Sequence, residues 1–277
     1  TVTTDYLQSD EWMTQENRYS ALSNMVVETR GELVHIDVAR QERYRATFDD
    51  IATESTCTSM QLHLQVAPNR FASAWNASQA IAGVQVALSA NSPLFMGHKL
   101  WHESRIPVFK QAIDTRTKEL INQGVRPRVW FGERWITSIF DLFEENVRYF
   151  PALLADTSDE DPIAVLEAGG TPRLPELCLH NGTVYRWNRP VYDIHEGQAH
   201  LRVENRVLPA GPTVVDTMAN AAFYYGVVRC LVESDRPLWS RMSFNAAAEN
   251  LQSGARTGME SQLYWPDVGW VRPDELV

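Results

Sequence analysis

Thr56-Cys57-Thr58-Ser59-Met60-Gln61-Leu62-His63-Leu64-Gln65-Val66 and His200-Leu201-Arg202-Val203-Glu204-Asn205-Arg206-Val207-Leu208 decide how this chain reads. Both alternate with period two, and a strand sends successive side chains to opposite faces. In the first, Leu62, Leu64 and Val66 share one face while Gln61, His63 and Gln65 share the other. In the second, Leu201, Val203 and Val207 oppose Arg202, Glu204 and Arg206. The plain reading is a half-buried antiparallel sheet with a wet side. The residue types add a sharper one. A carboxylate between two guanidiniums suits an anion held beside a metal, and a histidine flanked by amides suits ligation with orientation. The two stretches are expected to form one site.

Working outward, residues 175–179 and 183–187 flank Asn181-Gly182, and 190–194 and 200–208 flank Glu196-Gly197. Each dipeptide is a two-residue hairpin signal, so the arginine–glutamate strand should close an antiparallel run. Pro212-Thr213 then opens a long apolar helix with Thr213 as cap and Asp216 three residues on. On the other side, residues 71–88 are Ala-rich and apolar on more than one face, which predicts a helix buried on most sides and ended by the turn at 89–93. Helical spacing is also read at 15–30, stopped by Gly31, at 131–150 and at 240–254. Residues 32–38 alternate as a strand. Residues 44–54 read as loop, 94–116 show little periodicity, 156–161 form an acidic loop, and the tail from Tyr264 is irregular. No repeat or linker divides the chain. The expectation is one α+β domain over residues 1–277.

Composition narrows the function classes. The 277 residues are 44% hydrophobic and 22% charged, enough for a globular core. A balance of 25 basic against 35 acidic residues, net −10, argues against nucleic acid or an anionic membrane as partner. No apolar run approaches the ~18 residues of a membrane span. Three cysteines, Cys57, Cys178 and Cys230, lack metal-type spacing and read as reduced thiols of a cytoplasmic protein. No basic-then-apolar leader precedes Asp5. The chain opens on Thr1 rather than Met, which reads as a fragment.

The ordered set Thr56-Cys57-Thr58, Gln61-Leu62-His63, Ala87-Leu88-Ser89-Ala90-Asn91-Ser92-Pro93, Glu103-Ser104-Arg105 and Val203-Glu204-Asn205-Arg206 resembles the glutamate–cysteine ligase family. The similarity is to its carboxylate–amine ligase branch of actinobacterial and plant-type enzymes, and it covers residues from about Asn17 to about Pro212 and into the next helix. The resemblance implies a curved, mainly antiparallel sheet with helices packed on one side, similar to the catalytic domain of glutamine synthetase. It implies ATP and Mg²⁺ as cofactors, with phosphorylation of the γ-carboxylate of glutamate and attack by the amine of cysteine. It assigns Glu204 as a metal carboxylate, Arg206 as the arginine beside the transferred phosphoryl group, and His63 as a metal or phosphate contact. Arg105 falls where a bidentate fork grips a glutamate carboxylate; Arg116, Gln61 and Arg202 are further substrate-binding candidates.

One departure stands out. The family opens with a Gly-x-Glu-x-Glu strand whose carboxylates supply much of the Mg²⁺ shell, and these residues contain no such motif. Glu204 and His63 alone cannot complete a near-octahedral oxygen shell. The chain is therefore expected either to be cut upstream or to be a degenerate member that binds nucleotide or amino acid without turnover. A ligase with a different amine acceptor is a third reading. The bland reading of Glu204 and Arg206 is a structural ion pair. His98, His102 and Glu103 are crowded by Lys99 and Arg105 and do not read as a metal cluster. Cys57 has no basic partner in sequence and does not read as a catalytic thiol. Oligomeric state is not legible.

Overall fold

The computed structural model describes residues 16–276 and has α+β architecture. Helix α1 (Asn17–Arg30) ends at Gly31, whose φ of 66° is the left-handed cap expected there; Gln15 lies outside the described residues. Strands β1 (Val34–Ala39) and β2 (Arg43–Phe48) form a hairpin, followed by the short α2 (Ala52–Ser55). β3 (Leu62–Val66) leads to α3 (Phe71–Ser89). A two-residue pair, β4 (Leu94–Phe95) and β5 (His98–Lys99), precedes α4 (Arg105–Ala112) and α5 (Lys118–Asn122). Then come β6 (Val129–Trp130), α6 (Ile139–Tyr149), α7 (Pro162–Glu167) and α8 (Pro175–Gly182). β7 (Tyr185–Arg186), β8 (Asn188–His195) and β9 (Gln198–Asn205) precede α9 (Val214–Val232). α10 (Phe244–Thr257) and the hairpin β10 (Leu263–Trp265) and β11 (Gly269–Val271) close the chain.

α3 is the axis of the fold. Every residue from Ala74 to Ala87 is buried, as its all-round apolar sequence predicts. Its buried polar side chains are all used. Asn76 exchanges two hydrogen bonds with the backbone of Ile136, and Gln79 donates to the Phe131 carbonyl while accepting from Asn188. Gln85 and Asn205 exchange hydrogen bonds at 3.2 and 3.3 Å, and Asn205 also donates to Asn188 at 2.8 Å. These amides fasten the strands to the helix at fixed positions, since an unpaired buried amide would cost about 1–3 kcal/mol.

The sheet of interest has the order β3-β9-β8, antiparallel throughout. Its inner face, with Val203, Leu64, Val66 and Leu201, packs on Phe71, Ala74 and Trp75 of α3. Leu62 and Leu64 also meet Tyr224 and Val228 of α9. The hairpin β1–β2 has its own core, in which Val34, Ile36, Val38, Tyr44 and Phe48 meet Val108 and Ala112 of α4.

Several expectations need correction. The mainly antiparallel pairing expected holds, but it is divided among five small sheets of the described residues, of which β6–β7 alone is parallel. Residues 175–182 are helix, not a hairpin arm. Pro175 occupies the first turn, where a missing N–H costs nothing, and the Asn181 side chain bonds Pro190 and Asn146 instead of turning a hairpin. Residues 44–48 belong to a strand, because Tyr44 and Phe48 are buried while the flanking arginines point outward. Residues 131–138 are irregular rather than helical: a capping box between Ser138 and Asp141 starts α6 only at Ile139. The tail from Tyr264 includes a hairpin. No helix among the described residues is long and apolar enough to cross a membrane.

Candidate active site

The turn at Glu196-Gly197 sets the site. Both residues have positive φ (51° and 77°), so His195 faces Gln198 across a two-residue connection. Six residues back along β8 and six forward along β9, Arg189 faces Glu204. On the other flank of β9, His63 of β3 faces the same Glu204. The result is a lateral row, His63–Glu204–Arg189, on the sheet face opposite α3. Arg206, two residues beyond Glu204, shares that face.

Glu204 is nearly inaccessible, at 2% exposure, and both its oxygens are engaged. Oε2 accepts from Arg189 Nε at 2.6 Å and lies 3.6 Å from Arg206 Nη1. Oε1 accepts from Arg189 Nη2 at 3.3 Å and lies 3.6 Å from His63 Nε2. The Arg206 guanidinium also sits 5.9 Å from the centre of the Tyr185 ring. Burial holds Arg206 below its ordinary pKa, against the pull of Glu204. His63 is lowered too, by desolvation first, with Glu204 opposing and the neighbouring arginines assisting. Glu54 of α2 is a second carboxyl at this end of the row; burial raises its pKa and Arg206 partly offsets the rise. Burial pushes Tyr185 up to about 12.

Arg105 is fixed by protein groups. Its Nε donates to Glu103 at 3.0 Å, and its two Nη groups donate to the carbonyls of Arg206 and Val207, while Trp187 lies under its guanidinium. Glu103 also accepts from the Asn91 amide, the Ser92 hydroxyl accepts from the Arg105 amide, and Asn91 donates to Ala210. The Ala90–Pro93 and Glu103–Arg105 stretches thus interlock and buttress the end of β9. Arg202 occupies the next row, paired with Asp193 at 2.9 Å, beside a cleft of about 390 Å³ lined by Gln65, His195 and His200. Gln61 is exposed just ahead of β3. Arg116 is spent on both oxygens of Asp114 and on the Val125 carbonyl, and no bond of its side chain reaches this sheet.

So the structure brings His63, Glu204, Arg206 and Arg202 onto one face, seats Arg105 behind Arg206, and leaves Arg116 apart. Sequence reasoning missed Arg189, although the Glu196-Gly197 turn would have given its register. It also missed Glu54 and Tyr185, which no local pattern connects to β9.

The residues present do not fit a Mg²⁺ centre. Mg²⁺ needs several oxygens in near-octahedral array. Glu204 offers one carboxylate already committed to two guanidiniums, and no group of three His, Cys, Asp or Glu suited to a metal occurs among the described residues. What the row does offer is two guanidiniums on a fixed frame, whose N–H donors suit an oxyanion.

Neither a curated protein nor a solved structure matches the chain. The family model of glutamate–cysteine ligase family 2 matches residues 7–271, nearly the whole length and well beyond the motifs that first suggested it. With that match, the chain belongs to glutamate–cysteine ligase family 2, a family of carboxylate–amine ligases.

Proposed function

We propose that this protein joins the γ-carboxylate of glutamate to an amine, cysteine being the first acceptor to test, at the expense of ATP. The γ-carboxylate takes the terminal phosphoryl group of ATP, and the amine then displaces phosphate from the acyl phosphate. The observation that carries this reading is the family match over residues 7–271.

The residues have the following parts in it. Arg206 offsets negative charge as the phosphoryl group moves, with Arg189 beside it. Arg202 and Gln61 flank the row and take a substrate carboxylate. Arg105, whose fork is filled, positions Arg206 by holding its backbone carbonyl. Arg116 stabilises its own loop. Mg²⁺ accompanies ATP in this chemistry, but the described residues do not offer it a coordination shell. Three free cysteines suit the reducing cytoplasm.

ADP release with Mg²⁺, ATP and glutamate, with and without cysteine, tests the reading. Cysteine-dependent release is expected, falling by about 10²-fold in Arg206→Gln, the scale of losing one charge-stabilising group. Release indifferent to cysteine, or absent, would sink it. The unsuitability of the site for Mg²⁺ favours one alternative, a member that binds ATP or glutamate without turnover; ligand-raised Tm with no ADP would identify it.

A further inference from the structure

We propose that the His63–Glu204–Arg189 row, with Arg206, is a metal-free cradle for a phosphoryl oxyanion, in which Glu204 orients two arginines rather than ligating a cation. The proposal rests on the ligase reading only for the source of the phosphoryl group.

Charge comes first. Two guanidiniums face one carboxylate, and Arg202 in the next row is balanced by Asp193. Glu204, Arg189 and Arg206 together leave one positive charge with His63 neutral, which Glu54 beside Arg206 cancels when it is ionised, so the pull on an anion rests on the guanidinium donors that face it. A divalent cation approaching Glu204 would meet guanidinium nitrogens 2.6 and 3.6 Å from the oxygen it needs. A dianion would find the opposite field.

Donor supply points the same way. The Arg206 side chain makes no hydrogen bond among the described residues; its contacts are the 3.6 Å ion pair and the Tyr185 ring. Its donors are therefore free for a ligand. Arg189 spends its inner edge on Glu204 and remains partly exposed, as does His63. Neither arginine has to be recruited. Tyr185 lies against Arg206, whose amide donates to the Trp187 carbonyl at 2.8 Å, and Arg105 holds the Arg206 carbonyl from behind. Behind Glu204, Asn205 is pinned to Gln85 and Asn188. Such a frame holds its cations where the anion arrives, with little reorganisation left to pay for. Glu204 is the inner brace, buried at 2% exposure and set by the strand register.

The test is calorimetric titration of the full chain with inorganic phosphate in excess EDTA, and with Mn²⁺ separately. Phosphate is expected to bind in EDTA and to weaken by about tenfold or more in Arg189→Gln and in Arg206→Gln, with Arg189→Lys restoring part. Mn²⁺ is expected to leave the His63 ring resonances unbroadened. Phosphate that fails to bind in EDTA, or binds equally well to both arginine variants, overturns the cradle. So does Mn²⁺ that broadens the His63 resonances and binds stoichiometrically to the wild-type protein. ATP that displaces phosphate where ADP does not marks the terminal phosphoryl as the source; phosphate that neither displaces marks free phosphate. A Mn²⁺ site at Glu204 would leave the ligase reading standing, and absent ADP release with intact phosphate binding would remove only the ligase reading.

Discussion

Glu54 shows what one residue's environment does to its charge. Its carboxyl is largely buried beside Arg206, and desolvation outweighs that cation, so its pKa is raised. A carboxyl whose folded pKa lies above its unfolded value stabilises the fold fully at low pH and loses that contribution as pH rises through the folded pKa. Glu54→Gln keeps the shape and removes the ionisation. Wild type and variant should therefore match near the ordinary value of 4.5, and the variant should become the more stable as pH climbs toward neutrality. Urea midpoints for the pair, taken between about pH 4 and pH 8, check this; parallel curves would mean that the carboxyl is solvated. The same residue marks a limit of sequence reading. Glu204 and Arg206 were legible because alternation along one strand places them on one face, and His63 because it alternates in the same way on a second stretch, which proves to be the neighbouring strand. Glu54 sits on a four-residue helix far away in sequence, and only the folded chain brings it to Arg206.

At the scale of elements, the crossing of α3 and α10 depends on two glycines. A Cβ at Gly83 would lie 2.5 Å from the backbone carbon of Asn250, and one at Gly254 would lie 2.6 Å from the Gly83 carbonyl. Both clashes are with backbone, which cannot rotate away as a flexible side chain could. Gly83→Ala gains helix propensity of about 1 kcal/mol, yet overpacking costs typically about 1–3 kcal/mol, so the net effect should be destabilising. The urea midpoint reads the outcome; an unchanged or higher midpoint would mean that the helices separate freely. α3 itself was legible from an Ala-rich stretch apolar on more than one face, and the β8–β9 hairpin from its Glu196-Gly197 turn. The helix at 175–182 was not, because five alternating residues beside Asn-Gly fit a strand as well as a helix. Pro175 and the tertiary bonds of Asn181 decide between them. β2 escaped for a related reason: its outward arginines, Arg43 and Arg45, pair with Asp37 across the hairpin and make an ordinary strand look like loop.

Across the whole molecule, α3 contributes to four of the five hydrophobic clusters, through Ala80, Phe71, Ala77 and Val84 among others. Only the cluster of β1, β2 and α4 lacks it, and Cys57 and Trp101 pack against both that cluster and the largest one. We propose that the shared central helix and shared boundary make the chain unfold as one cooperative unit. The cysteines make this measurable. Burial pushes the Cys57 thiol up to about 12, and its sulfur sits within 3.8 Å of the carbonyls of Thr53 and Arg105. Cys178 and Cys230 are exposed. In the native state a thiol reagent should label the two exposed cysteines and spare Cys57, since the thiolate is the reactive form. Across a urea series, Cys57 labelling should rise together with the loss of near-UV and far-UV circular dichroism. If the β1–β2–α4 cluster instead opens on its own, Cys57 would label at lower urea than the global transition, and the chain would consist of two units meeting at that thiol.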